Sequence, residues 1–317
     1  MQFQASTLGM GIQASISIAI LKAYSMLKLK NRTPIFIDEP ELFLYPHAQK
    51  NFYRVLRNVS ENGTQLFITT HSPNFISVEH FDEIFVVRKT KDKGTFINCA
   101  EVSKFIMDFK AKTGRDTTAD DILIRYKNAY ENTGDSFNAN EAFFARKIIL
   151  VEGQSEALCL PYLFSLIDFD YVKEGISIVR CGNKNEIDRF YRLYIEFGIP
   201  CYVIFDGDSH LKGIADELDN ITRNRAILSM LGVDSDYPDG KVHDLYLGFE
   251  KEFELHLGYT TTKKGLDLFI ELKSIIKNNT QVPEWVSQVK EKVLTLKEYP
   301  DSVLLEESEQ PIDLEPF

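Results

Sequence analysis

The chain has 317 residues, 44% of them hydrophobic and 26% charged, which is enough apolar material for a sizeable core and enough length for two domains. Its formal charge of −11 makes the surface as a whole repel nucleic acid, so any such contact needs a local basic patch or bridging cations. Four scattered cysteines (Cys99, Cys159, Cys181, Cys201) form no CxxC pair, which excludes a zinc ribbon or disulfide framework and fits the reduced thiols of a cytoplasmic protein.

Residues 11–30 have helical spacing and end in a basic turn, LKLKNR. The apolar part, IQASISIAILKAYSML, is interrupted by Gln, Ser and Lys and reads as neither signal peptide nor membrane span. TPIFIDEP predicts a buried strand closed by acids, and PHAQKNFYRVLRNVSENG a helix with a glycine stop. TQLFITTH, DEIFVVRKT and GTFINCAEV predict three further strands. A first domain is expected to end at residue 103, and the polar, Asp-, Thr- and Asn-rich stretch 104–144 is expected to be a helical linker. A second alternation follows over 145–260: RKIILVEG, ISIVRCG and PCYVIFDGD as strands, SEALCLPYLFSLI and NEIDRFYRLYIEFG as helices. Helical segments run on to about residue 297, so 261–317 is read as a helical extension with an acidic tail, EESEQPIDLEP, of disordered composition. The alternation predicts an α/β protein whose sheets are mainly parallel.

IFIDEPE places Asp38 and Glu39 at the carboxyl end of a strand, where ligands of open α/β sheets bind. An aspartate there suits Mg²⁺ and a neighbouring glutamate suits an attacking water; His71, ending the next strand in FITTHSP, is placed to reach a γ-phosphate. The bland alternative is a loop start and a helix-capping histidine. DEPELFLYPHAQ and TTHSP resemble the Walker B, D-loop and switch-histidine segments of ATP-binding-cassette-type ATPases, and LGMGIQ (residues 8–13) resembles the signature segment. In that order, over residues 5–100, they resemble the ATPase of the overcoming-lysogenization-defect (OLD) family of nucleases. The resemblance implies nucleotide-binding roles for Gly9, Gly11, Gln13, Asp38, Glu39 and His71, with Glu39 catalytic. One departure is large: the chain contains no GxxxxGK[ST], the loop whose amides and lysine hold the phosphates. ATP is therefore expected as a ligand only if that loop is supplied, and 1–103 reads as the carboxyl-terminal part of an ATPase domain.

A second constellation is acidic. Glu152 ends RKIILVEG, Glu156 follows after a glycine turn, and Asp206 and Asp208 end PCYVIFDGD. Four carboxylates at two strand ends repel one another unless cations neutralise them. An open oxygen-ligand group of this kind suits Mg²⁺ or Mn²⁺, and two ions roughly 4 Å apart would clamp the attacking and leaving oxygens of a phosphodiester. The alternative for a lone DxD is an Asp-rich turn. LVEG and FDGD resemble the motifs of a TOPRIM domain, the metal-binding fold of topoisomerases, primases and OLD nucleases, and LVEGQSE resembles the OLD form. The resemblance implies that Glu152, Asp206 and Asp208 are metal ligands and catalytic, with Glu156 a further ligand. It also implies a later acid and a lysine. FEKEFELHLGY offers Glu254 first and Glu250 second, with Glu252 and Asp244 nearby; TTTKKGLDLF offers Lys264 ahead of Lys263, which otherwise are a solvated helix start.

Together these readings imply a partial ABC-type ATPase sheet, then a TOPRIM domain with a parallel sheet flanked by helices, then terminal helices. The activity implied is Mg²⁺-dependent DNA endonuclease, regulated by the ATPase and used in phage defence. The partners implied are DNA, a second copy joined through the ATPase part, and a helicase-like protein, with no membrane. Two other readings stay open: a toxin-like nuclease acting on RNA, and a catalytically incompetent fragment that serves as a binding subunit. The remaining Lys and Arg are too dispersed to trace a nucleic-acid path.

Overall fold

The protein is described from a computed structural model, covering residues 34–297 except 43, 91–93, 133–135, 212 and 214–216, together with 16, 20 and 23. The expected helix over 11–30, the signature glycines and the acidic tail therefore lie outside the described residues, apart from those three positions. Contacts divide the chain into two compact units, 1–81 and 82–317. That packing boundary precedes the residue 103 expected as the end of the first domain.

In the first unit, β1 (Ile35–Asp38) pairs in parallel with β2 (Leu66–Thr69), and α1 (Pro46–Glu61) connects them. Proline at its start suits α1, because proline's missing N–H is unpaired there in any case. Ile37, Leu66 and Ile68 pack against Phe52 and Leu56 of α1 and against Phe75. The expectation of a buried β1 is corrected: Phe36 is 72% exposed and stacks on Phe67, ring centroids 4.9 Å apart. Alternate side chains of a strand point to opposite faces, and α1 covers only one of them.

The second unit opens with β3 (Phe85–Thr90) and β4 (Gly94–Cys99), an antiparallel hairpin. These two strands depart from the parallel pairing expected, because a three-residue connection between them leaves no room for a crossover. Residues 104–144 fall mostly into three helices, α2 (Val102–Thr113), α3 (Ala119–Asn132) and α4 (Ser136–Glu141). Phe105 and Tyr126 meet edge to face between α2 and α3, and Asp108 of α2 pairs with Arg192 at 3.0 Å. This stretch is packed structure.

The main sheet has four parallel strands in the order β6-β5-β7-β8: β5 (Lys147–Val151), β6 (Ile176–Arg180), β7 (Cys201–Asp206) and β8 (Tyr246–Phe249). β5 is buried throughout and β7 at all but its last residue, as near-continuous apolar runs in a sheet covered on both faces should be. One face, with Ile149, Val151, Tyr202 and Phe249, packs on α5 (Gln154–Leu166), α8 (Gly265–Ile275) and α9 (Glu284–Thr295). The other meets α6 (Lys184–Glu196), beside which lies α7 (Glu217–Met230). β8 departs from the helical run expected after Asp208: Tyr246–Phe249 is a strand because it docks in parallel on β7. The terminal α9 drives Val286, Val289 and Val293 fully into the core. The α/β architecture expected is the one found. Among the described residues, no helix is long and apolar enough to cross a membrane.

Leu163 of α5 is fully buried in this core. Leu163→Ala is expected to destabilise the protein by about 2–5 kcal/mol, read from denaturant unfolding.

Candidate functional site

At the carboxyl ends of β1 and β2, Asp38 accepts a short hydrogen bond from the Thr69 hydroxyl, and the Glu39 amide donates to the Thr69 carbonyl at 3.1 Å. His71 Nε2 lies 3.5 Å from Glu39 Oε1. The structure thus brings Asp38, Glu39 and His71 together, as parallel pairing of the two strands requires. Glu39 sits at φ +43°, in the left-handed region that non-glycine residues seldom adopt. Two neighbours went unnoticed in the sequence. Glu41 accepts from the His71 amide at 2.6 Å, and Gln49 accepts from the Ser72 hydroxyl at 2.7 Å.

The second site lies within the second unit, at the carboxyl ends of β5 and β7. Parallel pairing of Val151 with Ile204 brings Glu152 and Asp206 side by side, and the Asp206 amide donates to Glu152 Oε2 at 3.3 Å. Glu156 stands in the first turn of α5 and accepts from the Gly153 amide at 3.1 Å, closing the helix start on itself. A carboxylate there suits the unpaired N–H groups of the turn. Glu254 arrives from the short helical turn Phe253–His256 that follows β8, and its Oε1 accepts from the Ser155 hydroxyl at 2.8 Å. The Phe253 amide donates to Asp206 Oδ1 at 2.8 Å. Glu152, Glu156, Asp206 and Glu254 line one cavity of about 610 Å³ with Lys264 at its wall.

Gly207 makes the turn between the two aspartates possible. A Cβ there would stand 2.5 Å from the Phe249 carbonyl oxygen and 2.8 Å from that of Glu250, both backbone atoms. Asp208 follows at φ +50°, with Oδ2 2.5 Å from the ammonium of Lys184. Asp208, His210 and Glu252 hold ligand atoms within 4.8 Å of one another at the rim.

Burial dominates the electrostatics. It pushes Glu152 up to about 7, against the pull of Lys184 and with the push of Asp208. It pushes Glu156 up to about 8, where Glu152 and Glu254 add to the rise. Asp206 is raised well above the ordinary range by burial and then by Glu156 and Glu152. Glu254 is 3% exposed, and among the described residues its Oε2 has no hydrogen-bond partner. A buried, unpartnered carboxylate oxygen among other carboxylates is costly in water and suited to a cation. The donor set, all carboxylate oxygen, fits a hard divalent ion.

Of the acids offered by FEKEFELHLGY, Glu254 alone reaches this cavity. Glu250 is exposed and lies against Gly240; Asp244 pairs with Lys292 at 2.6 Å. Glu252 stands at the rim, 3.0 Å from the Lys264 ammonium. Burial lowers the Lys264 pKa, but the hydrogen bond to Glu252 and the charges of Glu252, Glu254 and Asp206 together outweigh it and the net shift is upward. Lys263 turns away, to 3.6 Å from Glu271. Sequence reasoning missed Ser155 and Lys184. The signal for Lys184 was available in CGNKNEI, where Asn183 caps a helix and puts a lysine at its first position.

Residues 143–208 match the family model of the overcoming-lysogenization-defect protein-like TOPRIM domain. They are an OLD-like TOPRIM domain. Residues 1–76 match an AAA ATPase domain. The OLD nuclease of Thermus scotoductus is 30% identical over 221 residues, 69% of this chain and 38% of that protein. The Old nuclease of Escherichia phage P2 is 27% identical over 234 residues, 68% of this chain and 37% of that protein. The chain thus spans under two-fifths of the length of these relatives. The C-terminal region of the Burkholderia pseudomallei OLD protein is similar at 16% identity and a TM-score of 0.32, over 47% of this chain and 97% of that one. TOPRIM domains generally use divalent metal ions, and the cavity's carboxylates are of the kind such ions need.

The raised acids set a pH dependence. In the folded protein without metal, Glu152 and Glu156 keep their protons to about 7 and about 8, against 4.5 for an ordinary glutamate. The folded state then binds more protons than the unfolded one across that window, so their contribution to stability is full below about pH 4.5 and is lost as pH rises toward about 8. The thermal midpoint without metal is expected to fall over that range, and Glu156→Gln to flatten the fall. The rise in midpoint produced by Mg²⁺ is expected to grow between about pH 6 and about pH 8.5, since the ion displaces those protons.

Proposed function

We propose that the chain is a divalent-metal-dependent nuclease acting on DNA, with its chemistry in the TOPRIM cavity and its first unit forming part of a regulatory ATPase. The observation that carries this reading is the buried, unpartnered Glu254 oxygen in a cavity shared with Glu152, Glu156 and Asp206. Charge so placed has no use in a purely structural role and is costly in the absence of cations. Domain limits at 103, 144 and 260 remain our assignment, as does a role in phage defence beside a helicase-like partner.

In this reading Glu152, Asp206, Asp208, Glu156 and Glu254 would hold the divalent ions. Divalent ions bound there would neutralise the non-bridging oxygens of a phosphodiester and stabilise the charge that builds on the attacking and leaving oxygens. The chain's own groups do the rest. The Phe253 amide fixes one oxygen of Asp206, and the Ser155 hydroxyl fixes one oxygen of Glu254, so that both carboxylates are held in place. Lys264, 62% exposed at its side chain, is a cation able to reach a phosphate and offset its developing charge. Glu152 and Glu156 release their protons as the site is loaded. Asp38, Glu39 and His71 serve nucleotide hydrolysis only with a phosphate-binding loop, which these 317 residues do not contain.

The deciding experiment is nicking of supercoiled plasmid with Mg²⁺ or Mn²⁺, run beside tRNA under the same conditions. Plasmid nicking that is lost in Asp206→Ala and Glu152→Ala, with folding retained, is the expected result; cleavage of tRNA alone would transfer the reading to an RNA substrate. Lys264→Ala is expected to slow cleavage by about 10²-fold or more at unchanged metal dependence, and Lys263→Ala to cost far less. Equal losses in the two variants would remove Lys264 from the mechanism. ATP hydrolysis by this chain alone is expected to stay below about 0.1 per second. A faster turnover that vanishes in Glu39→Gln would contradict the ATPase part of the reading.

A further inference from the structure

We propose that Lys184 is a positioning residue of the TOPRIM cavity: with Asn220 it clamps Asp208 in the orientation from which that aspartate takes a divalent cation. The inference rests on the metal-dependent reading above, but its main readout does not require cleavage.

Lys184 is 4% exposed and stands at the first position of α6, where a positive charge opposes the helix dipole. A buried ammonium in such a place persists only with fixed partners. Among the described residues it has two: Asp208 Oδ2 at 2.5 Å and Asn220 Oδ1 at 2.7 Å. Asn220 in turn donates through Nδ2 to the Gly207 carbonyl at 3.0 Å and, more weakly, to that of Asp208 at 3.4 Å. Asn224, fully buried, donates to the same Gly207 carbonyl at 2.8 Å. One closed network thus joins α6, α7 and the turn after β7.

The turn needs such a network. Asp208 occupies a left-handed backbone conformation, which a non-glycine residue keeps only when its surroundings over-determine it. Lys184 takes Oδ2 of the carboxylate, while the Asp208 amide donates to the Lys251 carbonyl at 2.9 Å. Asp208 also has a ligand atom within 4.8 Å of those of His210 and Glu252. Lys184 itself is too deeply buried to touch a nucleic acid, which separates its role from that of the exposed Lys264.

The sign of one measurement distinguishes positioning from mere neutralisation. If Lys184 only screened charge, its loss would leave the cavity more negative and tighten cation binding. If it positions Asp208, its loss weakens binding, and removal of partners that orient metal ligands typically costs about 10–100-fold in affinity. The experiment is a titration of the thermal midpoint with Mn²⁺ for wild type, Lys184→Met and Asn220→Ala. The half-saturating Mn²⁺ concentration is expected to rise about 10-fold or more in Lys184→Met, and less, in the same direction, in Asn220→Ala, which keeps the Lys184–Asp208 pair. A midpoint lowered equally at every Mn²⁺ concentration, or a half-saturation unchanged or reduced, would overturn the proposal. Should Lys184→Met not fold, Asn220→Ala decides by the same criterion. A wild type that binds Mn²⁺ but cleaves nothing would defeat the nuclease reading and leave the clamp standing. A wild-type midpoint indifferent to Mn²⁺ would overturn both.

Discussion

Carboxylates brought together out of water repel one another, and the second unit is built around keeping several of them there. Parallel strands make this possible. Their carboxyl ends fall on one edge of the sheet, so the acids that end β5 and β7 become neighbours whatever the helices do. The buried ammonium of Lys184 offsets only part of this repulsion, drawing Glu152 down against the larger effect of burial. Backbone amides and hydroxyls take one oxygen from Glu152, Glu156, Asp206 and Glu254 in turn. Neutralisation falls to protons when no metal is present, which is why burial lifts Glu152 and Glu156 toward neutral pH.

Two lysines divide the remaining work by depth. Lys184 is enclosed and tied to Asp208, whereas Lys264 caps α8 at the cavity wall with its side chain mostly in solvent. A compact ammonium can be buried when its partners are fixed, or left exposed in a surface ion pair, and the helix starts of α6 and α8 offer one of each. The acidic surface noted at the outset is compatible with an anionic substrate only through such local cations and through bound metal.

Much of this was legible in the sequence where the chemistry was local. Apolar runs ending in LVEGQSE and FDGD pointed to the four acids, because a buried strand and the carboxylates that follow it sit side by side in the chain. What was not legible depended on tertiary pairing. β8 is four residues long and lacks any periodic signal; it becomes a strand by docking on β7, and it carries Glu254 in with it. Glu250, Glu252 and Glu254 were inseparable on spacing alone, and packing separates them by burying one and exposing another. Lys184 was passed over because a lysine before a helix reads as solvated until Asp208 and Asn220 are seen around it. In the first unit the strands were found, but not that one face of the pair stays open at Phe36 and Phe67, since an apolar run does not say how many of its faces will be covered.

The bond between Ser155 and Glu254 spans 99 residues, and that from the Gly265 amide to the same hydroxyl spans 110. Contacts this distant in the chain carry the loop-closure entropy of the residues between them. The two strand-end clusters at Glu152 and Asp206 therefore emerge from synthesis before the segment that completes them. A growing chain can form β5, α5, β6, α6 and β7 while the cavity still lacks its Glu254 wall and its Lys264 side. Assembly of the full acid set is thus coupled to the docking of β8, α8 and α9.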